Sequence, residues 1–443
     1  MSFDSTGPRL ISSKTGTSAP IRSGRSLPAI AADGPYAFRN RNILMLQGPV
    51  GPFFVRLAQD LRWAGANVHK INFNGGDWLF YPRGATNYRG KPEDFPVFLQ
   101  RICRARRIDV IMLFGDCRPI HSSVRQVAEM LDIRVEVFEE GYVRPDYVTM
   151  ETHGVNGHSA LPRSPIFFLN TPAPPPAKAL SVGQTIWHTG LWAFIYYFAA
   201  VLLWGLYPFY RHHRPLSWFE GLRWVRGWYR KQWYAWRNRP QFERLMADDA
   251  APFFLVPLQV HNDAQIRVHS DFPGVKPFIE QVVKSFAAHA PPDTLLVFKH
   301  HPMDRAYCNY AQFLSGLARD HGLRGRIVYL HDEHLPSLLN KAKGVITINS
   351  TAGLSAIHHG CPTLALGDAI YRIDGLTAST TLDQFWTSAD QHQIHRDLYR
   401  RFRDHLINRT QINGNFYRRL HLPGTLSGLN WSRGMDGGDE PHC

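Results

Sequence analysis

From Asn42 onward, short apolar runs alternate with stretches whose apolar positions recur every three or four residues. The run in "NILMLQGPVGPFF" breaks at Gln47, Gly48 and Pro49, which predicts a strand. Phe53, Leu57 and Leu61 then fall on one helical face, and Gly65 is a stop signal. "NVHKINFNGGDWLF" reads as a second strand and a loop, residues 109–116 as a third strand, "RQVAEML" as a helix, and "RVEVFEEGY" as a fourth strand ending in acid. The rhythm repeats later, with strands at 253–260, 294–300, 326–331, 344–349 and 362–366 and helices at 275–288, 305–320, 334–341 and 351–359. Apolar strands alternating with helices predict parallel sheets covered on both faces. At 443 residues the chain is too long for one core. The expected fold is therefore α/β, with two doubly wound, Rossmann-like domains facing a cleft. Ligands in such sheets bind beyond the carboxyl ends of the strands. That selects Gln47, Asp116, Glu139, Glu140, Gln259, Asp263, His300, His301, Ser350 and Thr351.

The expected divisions are a disordered tail at 1–35, an N-terminal domain at 36–170, a linker and helical segment at 171–245, a C-terminal domain at 246–410 and a tail at 411–443. Residues 1–35 are rich in Ser, Gly, Pro and Arg, with no apolar core of a signal peptide. "TPAPPPAK" (171–178) is a Pro-rich linker. Residues 185–210 contain no Asp, Glu, Lys or Arg, which is long enough to cross a bilayer. A single crossing would put the two sheet domains on opposite sides, where they could share no cleft. Residues 211–240 hold eight Arg or Lys against one acid, interleaved with Trp218, Trp224, Trp228, Trp233 and Trp236. Aromatics with cations suit the headgroup zone of an anionic leaflet. We expect a helix pair in the interface, with Arg223, Arg226, Arg230 and Lys231 toward lipid. The competing reading is a helix pair packed on the protein's own core.

A formal net charge of +14 favours an anionic partner: a nucleotide, a phospholipid surface or nucleic acid. The cations sit beside the apolar run, which suits lipid better than nucleic acid. Five scattered cysteines without a CxxC pair indicate neither a disulfide framework nor a zinc site, and fit a reducing compartment. Walker, GxGxxG, HExxH and DxD patterns are absent. The 22 histidines are dispersed, so no metal or other cofactor is expected. What remains is an anion site. "VFKHHPMD" ends a strand in Lys299, His300, His301 and Pro302. "GVITINSTAGLSAIHHG" ends another in Asn349, Ser350 and Thr351, followed by Ala352 and Gly353, whose small size allows close approach to a helix N-terminus. Singly these are a turn and an N-cap. At two strand ends of one domain they point to a nucleotide.

The motifs "LQGPVGPFF", "INFNGGDWLFYP", "FGDCRPIH", "FEEGYVRPDYVT", "GVNGHS", "LQVHNDAQI", "HHPMD", "HDEHLPSLL" and "NSTAGLSAIHHGCPTLALGDAIY" are long and ordered, and cover about residues 41–385. On them the chain resembles the bacterial capsular polysaccharide biosynthesis/export family, of the lipid-priming β-Kdo transferase type. The resemblance implies a GT-B-like fold, CMP-Kdo as donor and (lyso)phosphatidylglycerol as acceptor. It also implies a peripheral location on the cytoplasmic face of the inner membrane, with a capsule assembly or export complex as a possible partner. Related Kdo transferases retain anomeric configuration, which two displacements through a sugar–carboxylate adduct achieve. The family's Gln-Val-x-x-Asp stretch matches Gln259, Val260 and Asp263, and makes Asp263 the nucleophile. Were Asp263 only a helix cap, Asp271 or Asp304 would take its place. The acidic pair before Gly141 and Tyr142 would supply the base. Relatives tend to carry Glu-Asp-Gly where this chain has Glu-Glu-Gly, which leaves Glu139 or Glu140 open. Side chains alternate along a strand, so one faces the cleft, and Glu139 is favoured. Gln47, Gly48, Asn74, Asp116, Arg118, His121 and Arg144 are expected to position the acceptor. A non-catalytic export or scaffold component and a sugar epimerase are the rival readings.

Overall fold

The computed structural model describes residues 34–211 and 220–431, with the side chains of 220–224 left out. Arg214, Trp218 and the side chains of Arg223 and Trp224 therefore lie outside the described residues. In the N-terminal half the strands are β1 (Asn42–Met45), β2 (Asn67–Asn72), β3 (Ala85–Asn87), β4 (Val110–Phe114), β5 (Arg134–Glu140) and β6 (Tyr147–Thr152). In the C-terminal half they are β7 (Phe253–Pro257), β8 (Leu295–Lys299), β9 (Ile327–Leu330), β10 (Gly344–Thr347) and β11 (Thr363–Ala365). A last strand, β12 (Gln411–Asn413), returns to the first sheet.

The first sheet has the order β12-β6-β5-β4-β1-β2-β3, with β6 alone running opposite to the rest and so pairing antiparallel with both β5 and β12. The second is all parallel, ordered β11-β10-β7-β8-β9. Both are doubly wound, as the alternating pattern predicts. The chain runs outward from β1 to β3, then restarts beside β1 with β4. It likewise runs from β7 to β9, then restarts beside β7 with β10. Each restart is a topological switch point, where flanking loops diverge and leave a crevice.

Each sheet is covered on both faces. In the first, Phe53, Leu57 and Leu61 of helix Phe53–Trp63 pack with Phe138 and Phe416, while Leu44, Ile111 and Val137 face the other layer. In the second, every residue of β7 is buried, with Phe254 and Val256 against Phe286 and Trp386, and Phe253 and Leu255 against Leu338 and Val345. Each such side chain contributes roughly 1.5–3 kcal/mol on burial.

Three expectations need correction. The loop after β2 contains a helix, Gly75–Phe80, capped by Asn74, whose Oδ1 accepts from the Asp77 N–H at 2.9 Å. Residues 411–431 are not a tail. Ile412, Phe416 and Leu429 are buried in the N-terminal core, and the Asp60 carboxylate accepts from the Leu426 and Ser427 N–H groups at 2.7 and 2.9 Å. Gly414, Pro423, Gly424 and Gly428 break its apolar positions into short pieces, so no regular pattern reveals it. The third concerns the cations, because Arg230 donates to the Arg305 carbonyl at 2.9 Å and so is committed to the protein.

The two helices of the linking segment pack on different domains. Helix Ile186–Leu202 turns Tyr196 and Ala199 onto Gly75 and Gly76, where a Cβ at Gly75 would lie 2.3 Å from the Ala199 oxygen. Its other face exposes Trp187, Leu191, Phe194, Phe198 and Leu202. Helix Glu220–Met246 rests on the second domain, with Tyr234 stacked on His331 at 3.5 Å between ring centroids. Trp228, Tyr229, Trp233 and Trp236 stay exposed, as do Arg226 and Lys231. Among the described residues, no helix is long and apolar enough to cross a membrane.

Candidate active site

At the first switch point, Arg118 (beyond β4) donates to the Gln47 side chain and the Gly48 carbonyl (beyond β1), each at 3.1 Å. Gln47 in turn donates to the Tyr210 hydroxyl at 2.7 Å and to that of Tyr196 at 3.2 Å. Asn74 also donates to Tyr196, at 2.8 Å, and Tyr196 donates to Asp77. Gln47, Asn74 and Tyr196 are buried, so this network is internal support rather than a free surface. Gly48 is small because Phe54 lies against it. The buried His121 donates from Nδ1 to the Gly115 carbonyl at 2.8 Å, shaping the left-handed turn at Gly115. Burial and the nearby Arg118 charge push its imidazole down to about 3, so it is neutral.

The acidic pair at the end of β5 splits as the strand alternation requires. Glu140 accepts from the Tyr417 hydroxyl at 2.8 Å, on the face covered by the returning C-terminal segment. Glu139 turns the other way, toward Gly115, Asp116 and Arg118. Burial pushes its carboxyl up to about 7; the charges of Glu140 and Asp116 add to this, while the Glu140 N–H and Arg118 oppose it. Asp116 behaves differently. Burial raises it, but hydrogen bonds from His158 and Cys117 and the His158 and His269 charges outweigh that, leaving it below the usual carboxylate range.

At the second switch point, Gln259 donates to Asp263 at 3.1 Å and to the Asn349 side-chain oxygen at 2.9 Å. Asp263 also accepts from the Gln265 N–H at 3.0 Å, and so caps the short helix Ala264–Val268. The cap is real, and it aims the carboxylate. Burial raises the Asp263 pKa and Asp304 adds to that, against the Gln265 N–H, Gln259 and the Arg144 charge. Beside it, Ser350 caps helix Thr351–His359, its hydroxyl accepting from the Ala352 N–H at 3.2 Å. Thr351 and Ala352 form the first turn there.

Other residues in the donor set serve the fold. Gly353 does not open the helix to a ligand, because a Cβ there would lie 2.3 Å from the Tyr371 hydroxyl. Lys299 is buried and donates to the His331 carbonyl at 3.2 Å. His300 is buried against the Tyr329 hydroxyl, whereas His301 accepts from the Met303 N–H and begins the turn Pro302–Asp304. Asp304 holds His261 through both oxygens, and Asp271 is exposed. Arg144 is exposed and donates to the Gly141 carbonyl at 3.2 Å.

The two edges meet at Cys117. Its thiol lies 3.4 Å from His269 of the second domain, and burial together with the charges of Asp116, Glu139 and Asp263 drives its pKa far up. Glu139 and Asp263, from opposite domains, are thus both near enough for their charges to act on Cys117. Loop 156–163 closes the seam, with Arg163 donating to the Ala369 carbonyl. Cys117, His158, His269 and Tyr417 were not selected from the sequence. The first two stand inside the motifs "FGDCRPIH" and "GVNGHS", which was the available signal, while nothing local marks His269 or Tyr417.

A family model described as capsule polysaccharide biosynthesis protein matches residues 109–417. The chain is 40% identical over 388 residues to the capsule polysaccharide export protein KpsS of Escherichia coli, covering 85% of this chain and 97% of that protein. It is also 40% identical over 400 residues to the capsule polysaccharide modification protein LipB of Neisseria meningitidis serogroup A, covering 86% and 93%. Among solved structures it is similar to the β-Kdo 2,7 transferase KpsC of Thermosulfurimonas dismutans, at 14% identity and a TM-score of 0.39, covering 86% of this chain and 94% of that one.

Proposed function

The chain belongs to the capsule polysaccharide biosynthesis family, and from that premise we propose that it is a retaining β-Kdo glycosyltransferase. It moves Kdo from CMP-Kdo to (lyso)phosphatidylglycerol and so begins the lipid anchor of a capsular polysaccharide. The observation that carries this reading is that Asp263 and Glu139, from opposite domains, both act by charge on Cys117, whose thiol touches His269 across the seam. In the first step the Asp263 carboxylate bonds to the anomeric carbon as the bond to CMP breaks. Gln259 and the Gln265 N–H hold the carboxylate in line. In the second step Glu139 takes the proton of an acceptor hydroxyl. That oxygen bonds to the anomeric carbon, and Asp263 is released. The N-terminus of helix Thr351–His359 and His301 stand on the same edge, where the CMP phosphate would sit, so transfer should survive a chelator.

The exposed apolar stripe of helix Ile186–Leu202 and the exposed Trp, Arg and Lys side chains of helix Glu220–Met246 support a lipid acceptor. They support a peripheral seat on the cytoplasmic face of the inner membrane as well. The name of the Escherichia coli relative favours a second reading, a non-catalytic export component. The test is to incubate the purified chain with CMP-Kdo generated in situ and a fluorescent phosphatidylglycerol, with and without EDTA. A lipid mass gain of one Kdo in both arms is expected. A folded protein that binds the lipid and adds nothing would favour the export reading.

A further inference from the structure

Three side chains that the proposed transfer does not use come together between the domains. Cys117 follows β4, His158 stands in the loop after β6, and His269 follows helix Ala264–Val268. Each offers a ligand atom, and these atoms lie within 4.8 Å of one another. The Cys117 sulfur and His269 Nε2 are 3.4 Å apart. Tetrahedral zinc, with Zn–S about 2.3 Å and Zn–N about 2.0–2.1 Å, sets S and N roughly 3.5 Å apart. His158 and His269 are edge to face, with centroids 4.4 Å apart. Asp116 holds His158 Nδ1 at 2.9 Å, so Nε2 carries the lone pair. A carboxylate behind a histidine is the usual outer support of a zinc ligand. The backbone makes room for the group. A Cβ at Gly157 would lie 2.3 Å from His269 Nδ1, and one at Gly154 would lie 2.5 Å from the His158 Cβ.

We propose that Cys117, His158 and His269 form a zinc site that clamps the two domains together, with Asp116 orienting His158. On binding, the thiol gives its proton to solvent as the Zn–S bond forms, and the imidazoles bind through their lone pairs. Two ligands come from the first domain and one from the second, so the site is complete only when the cleft is closed. Occupied, it holds the domains shut and sets a divalent charge beside Glu139 and Asp263. Zinc therefore stabilises the closed arrangement and is not a participant in transfer. A second group, His261, Asp304 and Cys308, lies wholly in the C-terminal domain, and its carboxylate is already bound to His261.

The test uses the full chain, stripped of metal and titrated with zinc in a calorimeter and with cobalt in a spectrophotometer. One zinc per chain is expected, with a rise in melting temperature. Cobalt should give a near-ultraviolet thiolate band and the intense visible bands of a tetrahedral site. Cys117→Ser should remove the thiolate band, and His269→Gln should weaken zinc binding on the order of 100-fold or more by ligand loss. Cys308→Ser should change neither. Should Cys117→Ser fail to fold, His269→Gln decides alone. Zinc binding without a thiolate band, or a band lost only in Cys308→Ser, would overturn the site. Neither readout requires transfer activity, so this inference and the glycosyltransferase reading can fail separately.

Discussion

The carboxyl edge of the seven-stranded sheet and that of the five-stranded sheet each bring one carboxylate within reach of Cys117, but they hold it differently. Glu139 stands between Glu140 and Asp116, with one N–H and the Arg118 charge against burial. Its carboxyl is pushed up to about 7, which suits a group that must take a proton near neutrality. Asp263 meets Asp304 as a like charge, but two hydrogen-bond donors and Arg144 face it. In the proposed reaction, like charges and burial would tune the base, and donors would fix the direction of the nucleophile. Two carboxylates in one cleft can thus take different roles because their neighbours differ.

The sharpest way to break this comparison is Asp263→Asn. Transfer should fall by about 10⁶-fold, the scale at which removal of a nucleophile is felt. The asparagine still caps helix Ala264–Val268, so circular dichroism and CMP binding should persist. Wild-type protein given donor without acceptor should carry a Kdo adduct on the peptide containing Asp263. Near-normal transfer by the variant would leave Asp263 as a cap alone.

Glu139→Gln should cost about 10²–10³-fold, the worth of a general base. In wild type, kcat/KM should fall as pH drops through about 7, because Glu139 becomes protonated there. That limb should vanish in Glu139→Gln and remain in Glu140→Gln; the reverse would move the base to Glu140. The sign for stability is opposite. The folded pKa is raised, so the fold penalises the ionised form, a cost absent below the ordinary carboxylate range and present above about 7. Glu139→Gln should therefore melt higher than wild type at alkaline pH while being far less active.

Tyr417→Phe removes the donor to Glu140 and should cost about 1–2 kcal/mol of stability. Transfer should change by only a few-fold, with the acid limb unmoved. A shifted limb would mean that Glu140 titrates in catalysis. The smallest effects are expected at the helices. Arg226→Gln with Lys231→Gln should weaken pelleting with phosphatidylglycerol vesicles by about 1 kcal/mol per cation at low salt. Arg230→Gln should lower the melting temperature instead, since it loses the Arg305 carbonyl. Equal vesicle binding by the double variant at low and high salt would remove the electrostatic part of the lipid reading.

Periodicity and spacing determined a good deal. Runs such as "FFLVP" declare strands buried on both faces, and the strand ends declare where ligands gather. The alternation of Glu139 and Glu140, and Asp263 four residues beyond Gln259, are local facts that any strand and turn would preserve. Tertiary structure alone decided which of these groups meet. Cys117 reaches His269 across 152 residues, Glu140 meets Tyr417 across 277, and Gln47 meets Tyr196 across 149. It also turned Lys299 to a carbonyl, gave the space beside Gly353 to Tyr371, and drew residues 411–431 into the first domain. Local pattern encodes which face of an element is apolar. The order in which strands pair, and hence which distant side chains share a crevice, comes from the packing of whole layers.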